Sequence, residues 1–180
     1  PALFVVMLAC LPFAWSWQGP EQFADFAKSG IATLIFASNL YFWNQSGYFA
    51  PQSETQPLLH TWSLAVEEQF YLFFPVILIL LYRSFLRDRM ITSLVLIGAA
   101  SFLACQWGWR NAPDANFYLA PFRTWELMSG AICAFVLREA PPRPSEAPAI
   151  LGIAFITLSI LILGEHTPFP SSLTLLPVAG

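Results

Sequence analysis

Residues 60–75, HTWSLAVEEQFYLFFP, set acidic side chains inside an apolar run. Glu67, Glu68 and Gln69 fall in the segment 64–82, which is otherwise apolar enough to form a membrane-spanning helix. A carboxylate at the centre of such a helix costs about 2.5–3.5 kcal/mol on insertion scales, and less near the membrane interface. The stretch therefore predicts a membrane helix whose polar face looks into a cavity of the protein.

The composition of the whole chain agrees with this interpretation. Of its 180 residues, 57% are hydrophobic and 11% are charged, whereas about 25% of a soluble domain is charged. We therefore expect an integral membrane protein of the all-α class, a multi-pass bundle of transmembrane helices. The net charge of −3 and the lack of a basic block argue against nucleic acid as a partner.

Apolar segments mark the predicted helices. They cover about 2–17, 30–43, 64–82, 91–107, 120–137 and 148–164, with another beginning near 173. The segment 30–43 is short for a span of about 20 residues, and it is either a spanning helix or a re-entrant or tilted one. Because the chain begins and ends within apolar runs, we expect a fragment of a longer protein, with 1–180 forming part of one membrane domain.

Basic residues predict the orientation of the helices. Cytoplasmic loops are enriched in Lys and Arg, and two loops carry such residues: Arg83, Arg87 and Arg89 in one, Arg138 and Arg143 in the other. The helices 64–82 and 120–137 would then run from outside to inside. Arg110 and Arg123 lie on the opposite side and disagree with this rule.

Helical spacing divides the polar residues of the first stretch. Ser63 is a predicted N-cap for a helix that begins at Leu64. Glu67 and Tyr71, four residues apart, share a face, and we place Glu68 on a different face. Pro75 removes a backbone donor, which leaves the carbonyl of Tyr71 without its helical partner. Glu67 would lie roughly 7–9 Å below the outer surface.

The stretch 122–135, FRTWELMSGAICAF, repeats this arrangement. Glu126 would lie at a depth in its span similar to that of Glu67. Gly130 and Ala134 follow Glu126 at intervals of four residues and therefore share its face of the helix. A stripe of small residues allows close approach of another helix, so we expect Glu126 to point toward packed protein. Alternatively, Glu126 lies at the membrane interface, where it turns outward or pairs with Arg110 or Arg123.

Three further residues are candidates for a site, although each has a plainer explanation. His60 precedes the span, where it is either a capping residue or an acid–base group. Trp62 and Trp125 either belong to an interfacial aromatic belt or stack on a sugar. The spacing of His60, Glu67 and Glu68 fits no metal site.

Three cysteines lie in apolar runs without metal-binding spacing, and we expect them to be buried: Cys10, Cys105 and Cys133.

The residues 58–75, LLHTWSLAVEEQFYLFFP, closely resemble the signature of the membrane acyltransferase-three family, the OafA/YrhL-like O-acyltransferases. That signature has the form L-H-T-W-S-L-x-V-E-x-x-x-Y-x-x-x-P. Other stretches agree in order and extend the resemblance over nearly the whole chain: NLYFW at 39–43, GYF at 47–49, FRTWELMSGAICA at 122–134 and PFPSSLTLLPVAG at 168–180.

The resemblance implies a bundle of about ten helices in the bacterial cytoplasmic membrane. It implies transfer of an acyl group, usually acetyl, from cytoplasmic acyl-CoA to a hydroxyl of an outward-facing glycan: lipopolysaccharide O-antigen, peptidoglycan or exopolysaccharide. In the family a catalytic histidine and an arginine-rich motif precede the position of Pro1. A periplasmic SGNH-type domain often follows the last stretch.

We therefore predict an O-acyltransferase that binds no cofactor beyond its acyl-CoA substrate. The predicted catalytic residues are Glu67, Tyr71 and His60, and the predicted substrate-binding residues are Trp62, Ser63, Arg123, Trp125 and Glu126. Arg123 and Glu126 would form a second polar cluster at the same cavity. The 180-residue chain alone should be inactive. A transporter or a glycan-binding membrane protein without catalysis is the alternative, because buried carboxylates also mark transport paths.

Overall fold

A computed structural model describes residues 2–46, 56–84, 89–139, 146–164 and 167–180, and helix is the only regular secondary structure within these ranges. Arg87, Arg143 and the stretch 47–49, on which parts of the sequence interpretation depend, lie outside them. The α-helices, numbered in chain order, are α1 Ala2–Trp17, α2 Pro20–Leu34, α3 Ser38–Gln45, α4 Thr61–Arg83, α5 Met90–Asn111, α6 Pro113–Tyr118, α7 Ala120–Glu139, α8 Ala147–Ile162 and α9 Leu175–Ala179.

The all-α prediction is confirmed for the described residues, and five predicted apolar segments form helices with similar bounds. Two of them, α4 and α5, are long and apolar enough to cross a membrane, judged by length and composition. Helix α8 is apolar but has only 16 residues. Helix α7 has 20 residues, but Arg123 and Glu126 in its first two turns lower its hydropathy.

The segment 30–43 differs from the sequence prediction, because it forms two helices instead of one. Helix α2 ends at Leu34 and α3 begins at Ser38. Between them Phe36 has a φ of 53°, in the left-handed region that side chains other than glycine rarely adopt. The break is closed by the backbone N–H of Ala37, which donates to the carbonyl of Ala32 at 2.8 Å.

Helix α2 itself was not predicted over most of its length. It starts with Pro20, a residue favoured at a first helical position, and the Gln22 side chain accepts a hydrogen bond from the Gly19 N–H at 3.3 Å. Charged residues interrupt its sequence at Glu21, Asp25 and Lys28. A search for continuous apolar runs therefore does not detect this helix.

The chain forms two compact units, Pro1–Leu72 and Phe73–Gly180. In the first unit α1 packs against α2, and the turn before α4 joins them. Its buried core consists of Ala14, Phe26 and Leu58, with Met7, Cys10 and Phe23 packed around it. Most other large apolar side chains of α1 are exposed.

The second unit is organised by close packing of α5 against α7. Four small residues of α5 lie on the side that meets α6 and α7. We call this surface the α5 small face, and it consists of Gly98, Ser101, Cys105 and Gly108. A Cβ atom on Gly98 would lie 3.3 Å from Cγ of Met128, and one on Gly108 would lie 3.0 Å from the Phe122 ring. Glycine at these two positions therefore permits the close approach of the helices.

The stripe of small residues predicted on α7 does not pack in this way. A Cβ on Gly130 would have no neighbour within 4 Å, and Ala134 is exposed. The small residues that permit the close approach are on α5, and α7 contributes the larger side chains of Phe122 and Met128 to the contact.

The three cysteines are free thiols, but they are not all buried as expected. Cys105, on the α5 small face, is fully buried, whereas Cys10 is half-buried and Cys133 is exposed. Cys133 lies on the part of α7 that the described residues leave uncovered, three positions after Gly130.

Candidate functional site

The first candidate site is a groove of about 350 Å³ in the first unit, beside α4. We call it the Tyr71 groove, and it is lined by Ile35, Phe36, Glu68, Gln69, Tyr71 and Leu72. It combines a carboxylate, an amide and a phenol with apolar walls. Such a mixture of apolar surface and a few polar groups is typical of small-molecule sites.

Gln69 lines this groove and joins α4 to the break between α2 and α3. Its Nε2 donates to the Phe36 carbonyl at 2.8 Å and to Oδ1 of Asn39 at 2.9 Å. Asn39 Nδ2 donates back to Gln69 Oε1 at 3.4 Å. Gln69 thus satisfies a carbonyl that the irregular backbone leaves without a helical partner.

The start of α4 is tied to the same break by hydroxyl groups. The Oγ1 atoms of Thr33 and Thr61 lie 2.9 Å apart, and the Ser38 hydroxyl donates to the Thr61 carbonyl at 2.9 Å. Thr61 Oγ1 also donates to the Leu58 carbonyl at 2.7 Å. These bonds hold the first turn of α4 against α2 and α3, and thereby fix the direction in which α4 presents its polar residues.

Thr61, Gln69 and Asn39 are functional candidates that the sequence analysis missed. Partners 28 or 30 residues apart leave no local spacing signal. Asn39 and Gln69 do lie within the two stretches, 39–43 and 58–75, that carry the family resemblance. That shared location was the available hint.

The structure places two predicted residues differently from the sequence analysis. Ser63 is not an N-cap, because α4 already begins at Thr61, and its hydroxyl donates to the His60 carbonyl at 3.2 Å. Glu68 does not lie on a different face from Tyr71: both line the groove. Residues three apart on a helix are neighbours as well as residues four apart.

The other predicted residues of this stretch lie around the start of α4. His60 is exposed in the turn before the helix, and Trp62 is half-buried in its first turn. Glu67 is exposed and is not among the residues that line the Tyr71 groove. The structure therefore brings Tyr71 together with Glu68 and Gln69 at the groove, whereas Glu67 does not line it.

The second candidate site is an ion pair in the second unit. Arg123 donates to Oε2 of Glu126 from Nε at 3.2 Å and from Nη2 at 3.0 Å. The two side chains are only 12% and 20% exposed. At such burial each charge depends on the other, and loss of one partner leaves the other uncompensated.

Aromatic and amide groups surround this ion pair. The Arg123 guanidinium lies 5.0 Å from the centroid of the Phe169 ring and 5.9 Å from that of Phe117, within the range of cation–π attraction. Asn116 Nδ2 donates to the Pro170 carbonyl at 2.8 Å, which holds the segment carrying Phe169 beside α6. Phe169 and Pro170 thus belong to the wall of this cluster.

Trp125 is placed inside the second unit. It is 5% exposed, and its ring packs edge-on against Phe102 with centroids 5.0 Å apart. This packing leaves the ring little surface on which a sugar could stack. The ring instead packs against α5 at the turn of α7 that carries Arg123 and Glu126.

No group of three or more His, Cys, Asp or Glu side chains suited to a metal ion occurs within the described ranges. The chemistry available in these two sites is that of carboxylates, a phenol, amides and one guanidinium. These groups can orient a hydroxyl, hold a proton and stabilise a negative charge.

Apolar helices of membrane length that carry polar clusters define the class: a helical membrane protein with polar sites on its apolar helices. The chain belongs to the acyltransferase family described as "Acyltransferase domain", whose model matches residues 1–178. No solved structure matches the chain.

The chain is 29% identical to a protein of Komagataeibacter xylinus that carries the name membrane-bound transacylase BcsY, over 98% of the chain and 45% of that protein. It is 29% identical to the peptidoglycan O-acetyltransferase OatA of Listeria monocytogenes, over 95% of the chain and 28% of that protein. It is 32% identical to the O-acetyltransferase OatA of Staphylococcus aureus, over 76% of the chain and 23% of that protein. The chain thus spans less than half the length of these relatives.

Proposed function

We propose that this protein transfers an acyl group, most simply acetyl, from cytoplasmic acyl-CoA to a hydroxyl of a glycan outside the bacterial cytoplasmic membrane. The match of the acyltransferase model over residues 1–178 carries this proposal. The names of the relatives, a transacylase and two O-acetyltransferases, support both the group that moves and the membrane location. The glycan would be lipopolysaccharide O-antigen, peptidoglycan or exopolysaccharide.

The proposed reaction needs a base and a charge-stabilising group. The acceptor hydroxyl oxygen attacks the thioester carbonyl carbon and forms the new C–O ester bond. The C–S bond then breaks, and the CoA thiolate leaves with its electron pair and takes up the proton that the hydroxyl lost. A group that binds the oxyanion lowers the barrier, because negative charge collects on the carbonyl oxygen in the transition state.

We assign these roles to residues of the signature helix. Tyr71, on the wall of the groove, donates a hydrogen bond to the developing oxyanion. Glu67 orients the base or the acceptor hydroxyl, and His60 belongs to the acid–base machinery at the outer end of α4. The position of Glu68 beside Tyr71 makes it a second candidate for the role given to Glu67.

The substrate-binding role falls to residues near the outer ends of two helices. Trp62 is half-buried and keeps part of its surface for a sugar ring, and Ser63 lies beside it. Arg123 and Glu126 form a second polar cluster for the substrate, with Trp125 packed beneath them. An ion pair held in one geometry by aromatic neighbours suits recognition of a polar ligand.

Conservative substitutions in the complete protein test the assignment. Tyr71→Phe removes one hydroxyl and should lower kcat about 100-fold or more, as expected for loss of an oxyanion donor. Glu67→Gln and Glu68→Gln, assayed side by side for acyl transfer in membranes, decide which carboxylate serves the reaction. Tyr82→Phe, on the same helix but away from the groove, is the matched control.

Normal amounts of each variant in the membrane are required for the comparison. Near-native turnover by Tyr71→Phe and by both glutamine variants would refute the proposed roles. Absence of acyl transfer by the wild-type protein with every acceptor class would refute the function itself. Movement of glycan across the membrane in its place would favour a transporter.

A further inference from the structure

The first turn of α7 is bound to α5 through a side-chain hydroxyl. The hydroxyl of Ser101, on α5, contacts two backbone groups of this turn, the carbonyl of Pro121 and the N–H of Trp125. It donates to the Pro121 carbonyl at 2.6 Å and accepts from the Trp125 N–H at 3.0 Å.

The Ser101 hydroxyl can reach the first turn of α7 only because α5 and α7 lie very close together. It occupies the middle of the α5 small face, between Gly98 and Cys105, and is 7% exposed. A Cβ on Gly98 would already lie 3.3 Å from Met128 Cγ. The hydroxyl is therefore held in place by packing, with both of its hydrogen-bonding functions used.

The turn that Ser101 binds contains one member of the buried ion pair and adjoins the other. Arg123 lies within the turn 121–125, and Glu126 follows it directly. Bonds from one buried hydroxyl to both ends of this turn restrain the backbone between them. The direction in which Arg123 leaves the backbone therefore depends on the hydroxyl of Ser101.

We propose that Ser101 is a positioning residue that sets the geometry of the Arg123–Glu126 ion pair. Without the hydroxyl, the Pro121 carbonyl and the Trp125 N–H lose the two bonds that tie this turn to α5, and the first turn of α7 shifts against α5. The ion pair then loses its present alignment with Phe169 and Phe117. The effect of this change on catalysis rests on the function proposed above, whereas its effect on the ion pair does not.

A double-mutant cycle in the complete protein tests the inference without any substrate. Thermal unfolding in detergent is measured for Ser101→Ala, Glu126→Gln and the double variant. Coupled residues give non-additive effects, so Glu126→Gln should shift the unfolding temperature less in the Ser101→Ala protein than in the wild type. Ser93→Ala is the matched control, because the Ser93 hydroxyl donates to the carbonyl of Arg89, the residue just before its own helix, and not to α7.

The same variants are then assayed for acyl transfer. We expect Ser101→Ala to lower kcat about tenfold with an unchanged KM for acyl-CoA, and to have little further effect once Glu126→Gln is present. Ser93→Ala should behave like the wild type in both measurements. Additive shifts of the unfolding temperature would overturn the inference whether or not the protein transfers acyl groups. Wild-type kcat in Ser101→Ala would overturn it too, and an inactive wild-type protein would instead refute the proposed function.

Discussion

Phe36 is the residue at which the chain turns between α2 and α3. A left-handed backbone conformation costs a residue with a side chain roughly 1–2 kcal/mol relative to a right-handed one. Phe36 has a φ of 53°, and its carbonyl accepts the Gln69 hydrogen bond at 2.8 Å. The local strain is thus offset by a bond that joins the break to α4 and shapes the Tyr71 groove.

This geometry predicts an unusual order of stability at position 36. Phe36→Gly and Phe36→Ala both remove the ring, so their difference reports the backbone alone. Because glycine adopts positive φ without steric cost, we expect the Gly variant to be more stable than the Ala variant by about 1 kcal/mol. Unfolding by a denaturing detergent, followed by circular dichroism, measures the difference.

Leu34 provides the control, since it is the last residue of α2. There Ala should be more stable than Gly, as is usual in helices. An Ala variant at position 36 that equals or exceeds the Gly variant would show that Phe36 is not held in the left-handed region.

At the scale of elements, the packing of α5 against α7 depends on small residues at particular positions. Gly108 approaches α6 and the first turn of α7 so closely that a Cβ would lie 2.7 Å from Oδ1 of Asn116 and 3.0 Å from the Phe122 ring. Gly130, on α7, has open space instead. The two glycines have the same helical setting and opposite surroundings.

Gly108→Ala should therefore destabilise the protein, whereas Gly130→Ala should not. Overpacking a closed site costs about 1–3 kcal/mol, while alanine in an open helical position gains about 0.5–1 kcal/mol over glycine. Thermal unfolding of the two variants in detergent measures this contrast. Equal behaviour of both would contradict the close packing at Gly108.

The positions of most helices followed from the sequence, but their contacts did not. The apolar run 2–17 matches Ala2–Trp17, and 148–164 matches Ala147–Ile162 within two residues, because apolar length is a local property. The break at Phe36 has no local signal, since phenylalanine is not a residue of left-handed turns. Spacing favoured Glu67 over Glu68 as the neighbour of Tyr71, whereas Glu68 lines the groove with Tyr71. It also did not show that Gln69 would meet Asn39 across 30 residues.

At the scale of the whole molecule, basic residues are distributed unevenly between the ends of α4 and α5, the two helices of membrane length. Arg83 ends α4 and Arg89 precedes α5, whereas Arg110 lies in the last turn of α5. Cytoplasmic ends of membrane helices are enriched in such residues. We therefore expect the connection between α4 and α5 to face the cytoplasm.

Reporter fusions to the truncated protein test this orientation. Alkaline phosphatase joined after Ser84 should be inactive and green fluorescent protein at the same point should fluoresce. Fusions after Ala112 should give the opposite pair of results. High phosphatase activity after Ser84 would reverse the orientation and place the outer end of the signature helix, with His60 and Trp62, on the cytoplasmic side.

The fully buried thiol of Cys105 can serve as a chemical probe of the contact between α5 and α7. A small thiol reagent can reach this sulfur only when the two helices separate, so the rate of modification reports how often the contact opens. With Cys10 and Cys133 replaced by alanine, one reagent and one mass measurement would follow a single event inside the protein. The opening of the helix pair that carries Arg123 and Glu126 could then be timed.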